Sequence, residues 1–423
     1  MTIKVTTPGS GPTRFHADRL LGNHAGLINE ISVVRNQRAH DESTVAAVDA
    51  CSMQSLLPMD IPYDTDFRAM GKGGTVDEAI ASAAGEFAER YCAFWPPENA
   101  RRASYAELEA SAERVPDFEY LGIYDENQLD GLTQRPLTRR AEICWVEGRD
   151  LLDGSSVSVP VGRAYMTSPE PYFYTTSNGL ACERTLAASV TGGIYESVER
   201  DAIMRAWFRE KPPAKVRLDE WPNVEQRRAA VETATTSVHV LKFETGLPFH
   251  VIGALAVDER DRQPKALLAA GASLDFATAV ENALTELSQG LKVLKEELAL
   301  GGELGEDTRA SETRVDNVRH YARPENVDAL GMLLDGAVAE PDDERVEFEA
   351  DRAELRACLD ALAAGDVTPI AVDVTTRDVR EAGLYVTRVV VPELVPLSRP
   401  GVPPQRHPGF VGVELNDDYH PIG

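Results

Sequence analysis

The sequence predicts an α+β fold built from long helices and separate sheets. Helical segments and apolar strands succeed one another in blocks, and the composition is that of an ordinary globular protein, with 43% hydrophobic and 26% charged residues. At 423 residues the chain is long enough for two or three domains or for one large α/β body. Its formal charge of −26 disfavours nucleic acid and anionic membrane surfaces as partners, because both polyanions would repel it.

The clearest single element is a helix predicted from Thr75 to Phe94. Thr75 is suited to the N-cap position, and Glu78, three residues later, completes a capping box. The apolar residues that recur at helical spacing along this segment are Ile80, Ala83, Ala84, Phe87 and Tyr91. In the mixed segment before the helix, residues 26–28 (Gly-Leu-Ile) are predicted to begin a strand.

The elements after this helix are hairpins, helices and one acidic segment. Two strands flank an Asp-Gly turn within residues 141–162, and a hairpin occupies Ser237 to Glu259. The remaining predicted helices are 105–114, 185–208, 276–299 and 352–364, and the remaining predicted strands are 265–270, 369–374 and 384–391. Residues 301–350 are acidic, polar and rich in glycine, which predicts an exposed insertion rather than a partner-binding tail.

The cysteines and the N-terminus indicate a reduced, intracellular setting. The five cysteines are widely spaced without a Cys-x-x-Cys pair, which disfavours a disulfide framework and a structural zinc site. The first residues lack the apolar core of an export signal, and no stretch is apolar enough to cross a membrane. We therefore expect a cytoplasmic protein without a membrane segment. Cys92 and Cys182 are expected in the core, and His407 and His420 in exposed loops.

The motif E-x-x-E-R recurs on two of the long helices. The copies are Glu86-x-x-Glu89-Arg90 and Glu196-x-x-Glu199-Arg200, and a third long helix carries Glu286-x-x-Gln289. Three or four residues make one helical turn, so each pair projects from one face. Two carboxylates one turn apart can hold Mg²⁺ and leave positions for phosphate oxygens, which adjacent arginines can contact. Convergence of such helices would form a nucleotide site without a Gly-rich phosphate loop.

A single copy of this motif usually marks a solvated helix face with local ion pairs. Here the acids are embedded among apolar residues such as Ala84, Phe87 and Ile194, and the motif is repeated. These two features weaken the interpretation as a solvated face and leave it and a binding site as equal alternatives.

The same residues resemble the signature segments of the YcaO family. The segments concerned are GKGGTVDEAIASAAGEFAERYCAFW, SNGLACERTLAASVTGGIYESVERDAIMRAWF, ENALTELSQGL and VVVPELVPL, in the order found in the family. The resemblance implies a YcaO-type fold, with mixed sheets packed against the long motif-bearing helices. It also implies an N-terminal segment at 1–65, a YcaO domain at 66–400 with the acidic insertion at about 301–350, and a Pro-rich C-terminal tail at 401–423.

The resemblance implies an ATP- and Mg²⁺-dependent enzyme that phosphorylates a backbone amide oxygen of a ribosomally made precursor peptide. Attack by a neighbouring Cys, Ser or Thr side chain and loss of phosphate then give a thiazoline or oxazoline, since phosphorylation makes the amide oxygen a good leaving group. Related members form thioamides or amidines. The resemblance further implies a leader-peptide-binding partner protein and a homodimer.

Carried over residue by residue, the resemblance implies one site for nucleotide and metal. Nucleotide binding is assigned to Lys72, Ser82, Arg90, Ser177, Asn178, Arg200 and Gln289, and Mg²⁺ binding to Glu86, Glu89, Glu196, Glu199 and Glu286. Three positions depart from the family pattern: Arg184 replaces an Asn, Ala188 a metal-binding Glu, and Leu291 an Arg. The end of the chain, from Asp417 to Gly423, departs from the Pro-rich end of azoline-forming members. These departures imply weaker binding of Mg·ATP and leave open a second hypothesis, a catalytically degenerate docking scaffold in a modification complex.

Overall fold

Helices and three β-sheets make up the described part of the chain, which confirms the α+β prediction. The computed structural model describes residues 2–5, 20–22, 26–35, 44–50, 69–73, 75–218, 221–299, 315–341 and 345–422. The chain divides into two compact units. The first unit comprises Met1–Val115, Arg140–Gly193 and Ile370–Val390, and the second comprises Pro116–Arg139, Ile194–Pro369 and Val391–Gly423.

The predicted helices and strands are all present, with small shifts at their ends. In chain order the strands are β1 (Thr2–Val5), β2 (Ile28–Arg35), β3 (Thr44–Ala50), β4 (Met70–Gly73), β5 (Arg101–Ser104), β6 (Glu142–Asp150), β7 (Ser156–Pro160), β8 (Leu180–Glu183), β9 (Ala214–Val216), β10 (Thr236–Phe243), β11 (His250–Asp258), β12 (Ala266–Ser273), β13 (Val338–Ala339), β14 (Ile370–Asp373) and β15 (Tyr385–Val390). The helices are α1 (Val76–Ala93), α2 (Tyr105–Ala110), α3 (Phe118–Leu121), α4 (Val161–Ala164), α5 (Leu186–Phe208), α6 (Pro222–Val231), α7 (Phe276–Ala299), α8 (Val315–Tyr321), α9 (Asp351–Ala364) and α10 (Arg377–Glu381). Short 3₁₀ helices cover Glu126–Leu129, Pro324–Leu334 and Pro408–Phe410.

In the first unit, α1 packs against a four-stranded antiparallel sheet of order β1-β2-β3-β4. The predicted capping box is present, because Thr75 Oγ1 accepts from Glu78 N–H and the Glu78 carboxylate accepts from Thr75 N–H. The apolar face of the helix is buried, including Ala84 and Phe87. A second sheet has the order β5-β6-β14-β15-β8, with β7 beside β6, and its strands pair antiparallel.

The second unit is built on a five-stranded sheet of order β12-β11-β10-β9-β13. The predicted hairpin supplies β10 and β11, and β12 pairs with β11 and is buried along its whole length. Helix α7 lies on β11 and β12 and buries an apolar stripe that includes Leu284 and Leu287. This arrangement fixes the helix that carries Glu286 and Gln289 on the sheet.

The expectation of an exposed insertion over residues 301–350 is wrong for the central part of that segment. Asn317, Tyr321 and Leu333 are buried there, on α8 and on the 3₁₀ helix that follows it. Apolar residues such as Tyr321 and Leu333 are spaced among the acidic residues and are buried. The prediction missed them because it relied on the acidic average composition of the whole segment. Residues 301–314 and 342–344 of the predicted insertion lie outside the described residues.

The expectation that His407 and His420 lie in exposed loops is also wrong. Both side chains are fully buried, together with Phe410 and Tyr419 of the same tail. His420 Nε2 lies 2.9 Å from the carbonyl oxygen of Ser398, and burial lowers the pKa of His420 to about 4. The tail packs largely as irregular chain, so its apolar residues follow neither a helical nor a strand periodicity. Without such a periodicity, the sequence gave no sign that the tail is buried.

No helix in the described stretches combines the length and the apolar character that crossing a membrane requires. The predicted boundaries at residues 65 and 400 stay a prediction. Most of residues 1–65 lie outside the part of the chain that the structure describes.

Candidate functional site

The first E-x-x-E-R motif lies on α1 in the first unit. Glu86 and Arg90 form an ion pair with Glu86 Oε1 2.5 Å from Arg90 NH2, and each side chain is 32% exposed. The second oxygen of Glu86 accepts a hydrogen bond of 3.1 Å from Met70 N–H on β4. Ser82, one turn earlier, is exposed, and Glu89 is half-buried. The predicted residues of this helix therefore form a polar face that a ligand can reach.

Two glycines place Lys72 beside this helix. Strand β4 runs so close to α1 that a Cβ on Gly71 would lie 1.9 Å from the backbone nitrogen of Ala83. A Cβ on Gly73 would lie 2.3 Å from a side-chain atom of the first helical turn. Lys72, between the two glycines, is half-buried on the strand that also contacts Glu86. The Gly-Lys-Gly sequence is thus a packing requirement that brings a lysine next to the motif.

The predicted Ser177-Asn178 pair lies in a tight turn that precedes β8. Leu180 N–H donates to the carbonyl oxygen of Ser177 over 2.8 Å, and this bond closes the turn. Gly179 has a φ of +78°, the left-handed region that glycine adopts without steric cost. Asn178 N–H donates to the Thr176 hydroxyl over 3.2 Å. The S-N-G sequence and the Thr176 hydroxyl therefore favour this turn conformation.

Arg388 on β15 is hydrogen-bonded to the backbone of the same turn, although no motif in the sequence indicated this residue. Its guanidinium donates to the carbonyl oxygens of Asn178, Thr176 (2.6 Å) and Ala164 (3.1 Å). The side chain is 2% exposed. Its one signal in the sequence was a charged residue inside an otherwise apolar strand, since a buried arginine needs acceptors.

The second motif forms a charged cluster on α5 in the second unit. Arg200 is hydrogen-bonded to Glu199, and its NH2 lies 3.5 Å from Glu196 Oε1. Glu199 is 8% exposed, and burial raises its pKa to about 7. Arg200 opposes this shift, while the negative charges of Glu196 and of Glu286 on α7 add to it. The structure thus brings these four predicted residues together, with Gln289 half-buried one turn further along α7.

The donor set of this cluster fits Mg²⁺ bound together with a phosphate. Burial is the main cause of the raised pKa of Glu199, and the carboxylates of Glu196 and Glu286 add to it against the opposing charge of Arg200. Arg200 Nε is buried and makes no hydrogen bond with any described residue, so it can donate to a further oxygen. Within the described stretches, no three His, Cys, Asp or Glu side chains are grouped so as to hold a metal by themselves. Mg²⁺ commonly binds through one or two carboxylates, with phosphate oxygens and waters completing its octahedron.

The positions that depart from the family pattern lie in three different environments. Arg184 is exposed between β8 and α5. Ala188 is half-buried in the first turn of α5, where its N–H donates to Thr185 Oγ1 over 3.1 Å. Leu291 is 6% exposed and belongs to the apolar cluster between α7 and its sheet. The last position therefore serves the core in this chain.

Of the two cysteines near the motifs, Cys92 is a core residue, as predicted, and Cys182 is half-buried and packs against the same apolar cluster. Burial raises the pKa of Cys92 to about 11, and its sulfur lies 3.3 Å from Thr376 Oγ1. Burial and the nearby charge of Glu89 raise the pKa of the Cys182 thiol well above its ordinary value. Thiols that resist ionisation are poor nucleophiles, so neither residue is a candidate for covalent catalysis.

Residues 70–395 match a family model described as YcaO cyclodehydratase, ATP- and Mg²⁺-binding. The chain belongs to the YcaO family. The resemblance seen in the motifs is thereby confirmed, and ATP and Mg²⁺ are the cofactors of this family. The assignment of individual residues to nucleotide and metal stays a prediction.

Two curated relatives share part of the sequence of this YcaO protein. An uncharacterized protein of Methanothermobacter thermautotrophicus is 28% identical over 363 residues, which cover 79% of this chain and 83% of the relative. An uncharacterized protein in the tfuA 3′ region of Rhizobium leguminosarum bv. trifolii is 33% identical over 135 residues, which cover 31% of this chain and 30% of the relative.

Solved structures with the same fold include YcaO proteins and heterocyclases. A heterocyclase in complex with substrate and cofactor matches with a TM-score of 0.72 at 19% identity, over 95% of this chain and 56% of that one. YcaO from Methanopyrus kandleri, bound with AMPPCP and Mg²⁺, matches with a TM-score of 0.62 at 22% identity, over 87% of this chain and 86% of that one. The E. coli microcin synthetase McbBCD complex matches with a TM-score of 0.63 at 14% identity, over 88% of this chain and 90% of that one. These matches confirm the YcaO-type fold, and this chain spans just over half the length of the heterocyclase.

Proposed function

We propose that this YcaO protein binds Mg·ATP and activates a backbone amide of a ribosomally made peptide by phosphorylating the amide oxygen. The observation that supports this most is the cluster in which three carboxylates, Glu196, Glu199 and Glu286, accompany one guanidinium, Arg200, and in which Glu199 is buried. A buried carboxylate that is ionised costs free energy unless a cation lies beside it, and a bound divalent metal ion would remove that cost. When bound, Mg·ATP supplies the transferable phosphoryl group and the metal that neutralises it.

In this proposal the two motifs divide the work of binding. Glu196, Glu199 and Glu286 are the acids from which Mg²⁺ takes one or two carboxylate ligands in the second unit, and Arg200 offers its Nε to a phosphate oxygen. In the first unit, the assigned residues are Lys72, Ser82, Glu86, Glu89 and Arg90 on β4 and α1, and Ser177 and Asn178 in the turn. Arg388 is a positioning residue in this proposal, because it is buried and donates to the carbonyl oxygens of that turn.

The proposed reaction is cyclodehydration. A Cys thiol or a Ser or Thr hydroxyl adds to the carbon of the preceding amide and loses its proton. The amide oxygen takes the γ-phosphoryl group, and the bond between that phosphoryl group and ADP breaks. The C–O bond then breaks, phosphate leaves, the amide nitrogen loses its proton, and a thiazoline or oxazoline remains. The protein contributes orientation and neutralisation of charge rather than a covalent step.

The proposed partners are a precursor peptide and a separate protein that binds its leader. The matching heterocyclase was solved with its substrate, and the matching microcin synthetase is a complex of several proteins. Both facts support a partner protein that delivers the peptide to this chain. The proposed oligomeric state, a homodimer, comes from the family resemblance.

Thioamide formation is a second candidate. The relative from Rhizobium leguminosarum lies in the tfuA 3′ region. Within the YcaO family, a neighbouring TfuA-type gene indicates thioamide formation. The same activated amide would then be attacked by a sulfur donor, and the nucleotide site would be unchanged.

Co-expression with the flanking genes, followed by measurement of intact peptide masses, tests the proposal. Cyclodehydration removes one water for each modified residue, whereas thioamide formation exchanges one oxygen for one sulfur. Either change must disappear in a Glu199→Gln variant. A peptide whose mass is the same with and without the wild-type protein would argue for the docking scaffold instead.

A further inference from the structure

A tyrosine hydroxyl on α5 joins three elements of the second unit. Tyr195 Oη donates to Glu354 Oε1 on α9 over 2.7 Å and accepts from the backbone N–H of Leu274 over 3.5 Å. Leu274 lies in the connection between β12 and α7. The ring of Tyr195 packs edge-on against Phe249, with the ring centroids 6.0 Å apart. The hydroxyl therefore links α5 to α9 and to the start of α7.

The first turn of α7 is fixed at the residue that follows Leu274. The buried carboxylate of Asp275 accepts from Thr278 N–H and from Thr278 Oγ1, over 2.8 Å each, and from Val346 N–H over 3.1 Å. A carboxylate that accepts N–H groups at the N-terminus of a helix stabilises that end of the helix. Asp275 thus ties the start of α7 to the segment that leads into α9, and Tyr195 ties it to α5. These bonds set how α7 lies relative to α5.

Helices α5 and α7 carry the acids of the proposed metal cluster. Tyr195 directly precedes Glu196, and Glu199 follows Tyr195 by one helical turn on the same face of α5. Helix α7 carries Glu286, whose charge reaches Glu199. Mg²⁺ tolerates little variation in the geometry of its ligands, so the placement of the two helices affects its affinity. Groups that orient metal ligands without touching the metal are part of such sites.

We propose that Tyr195 is a positioning residue for Mg²⁺, because its hydroxyl fixes the start of α7 against α5 and so holds Glu286 in place relative to Glu199. This inference rests on the proposed function, in which these carboxylates supply the metal ligands. The Tyr195 hydroxyl itself takes no part in the proposed reaction, since its hydrogen bonds are to Glu354 and to Leu274 N–H.

The test compares the wild-type protein with Tyr195→Phe, which removes the hydroxyl and keeps the ring. Tyr124→Phe is the matched control, because Tyr124 is a buried tyrosine of the same unit whose hydroxyl accepts from Arg399 N–H over 3.3 Å. Calorimetry gives three quantities for each protein. They are the Mg²⁺ concentration required for half-maximal binding of ATP, the affinity for ATP at saturating Mg²⁺, and the affinity for Mg²⁺ alone.

Tyr195→Phe should raise the required Mg²⁺ concentration about 3- to 10-fold, less than the roughly 10- to 100-fold effect of losing a group bonded directly to a metal ligand. The affinity for ATP at saturating Mg²⁺ should stay near the wild-type value, because the groups assigned to the nucleotide are unchanged. Glu354→Gln keeps an oxygen that accepts from the hydroxyl and should require as much Mg²⁺ as the wild type. Glu354→Leu has no acceptor and should resemble Tyr195→Phe.

The outcomes separate this inference from the proposed function. If Tyr195→Phe is less stable but requires no more Mg²⁺ than the wild type, or if Tyr124→Phe requires equally more, the inference is wrong and the function stands. If the wild type binds neither Mg²⁺ nor Mg·ATP, both are wrong. If Mg²⁺ alone binds more weakly to Tyr195→Phe than to the wild type and neither protein binds ATP, the inference stands and the ATP-dependent function is wrong. If Tyr195→Phe does not fold, the two Glu354 variants decide, and equal Mg²⁺ requirements for them would overturn the inference.

Discussion

Replacing Glu199 with Gln is expected to stabilise the ligand-free protein while it abolishes binding of Mg·ATP. Burial raises the pKa of Glu199 from 4.5 to about 7, so the folded protein holds this proton more tightly than the unfolded chain does. The resulting stabilisation is complete below the unfolded pKa and is lost as pH rises to the folded pKa. At about 1.4 kcal/mol for each pH unit, the ionised carboxylate costs roughly 3 kcal/mol above about pH 7. Glutamine mimics the protonated acid and avoids that cost.

Denaturant unfolding without Mg²⁺, repeated from acidic to mildly alkaline pH, measures this difference. The free energy of unfolding of Glu199→Gln minus that of the wild type should rise from near zero at about pH 4.5 to roughly 3 kcal/mol above about pH 7. Glu126→Gln, which changes an exposed acid of the same unit, is the control against which the Glu199→Gln curve is compared. The reasoning is refuted if Glu199→Gln is less stable than the wild type at alkaline pH, or if its difference is flat.

Two further predictions concern packing around the first motif. Gly71→Ala should destabilise the protein by about 1–3 kcal/mol, because the added Cβ would meet the backbone of α1. Gly85→Ala should stabilise it by about 1 kcal/mol, because alanine favours a helix and the nearest atom to the added Cβ, the carbonyl oxygen of Cys182, would lie 4.0 Å away. Equal melting temperatures for these two variants would contradict the contact between β4 and α1. Arg388→Met should cost about 3 kcal/mol or more in denaturant unfolding, because it leaves three carbonyl oxygens without their donor. Arg388→Lys should recover little of this loss, since one ammonium cannot span all three; wild-type stability in either Arg388 variant would show that the turn does not depend on this residue.

The sequence predicted the regular elements because their signals are local. The capping box of α1 is formed by Thr75 and Glu78, which are neighbours in the chain, and α5 and α7 carry long helical patterns. The hairpin of β10 and β11 is likewise marked by two apolar runs around a turn. The motif residues could therefore be assigned to these elements from sequence spacing alone.

Properties that depend on distant contacts were not predictable in the same way. The close approach of Gly71 to α1 joins a strand of four residues to a helix, and the strand itself is too short to show a pattern. The burial of His420 and the contact of Arg388 with the Ser177-Asn178 turn both arise from chain segments far apart in sequence. The raised pKa of Glu199 results mainly from its burial, and the charge of Glu286 on another helix adds to it; no spacing rule reports either cause.

Calorimetric titration of the purified protein with ATP in the presence of Mg²⁺ tests the central claim most directly. We predict micromolar binding that requires Mg²⁺ and that is abolished by Glu89→Gln and by Glu199→Gln. Absence of binding, even with the peptide and the partner protein present, would contradict the enzymatic function and favour a docking scaffold. Binding that survives both substitutions would show that the nucleotide is held elsewhere.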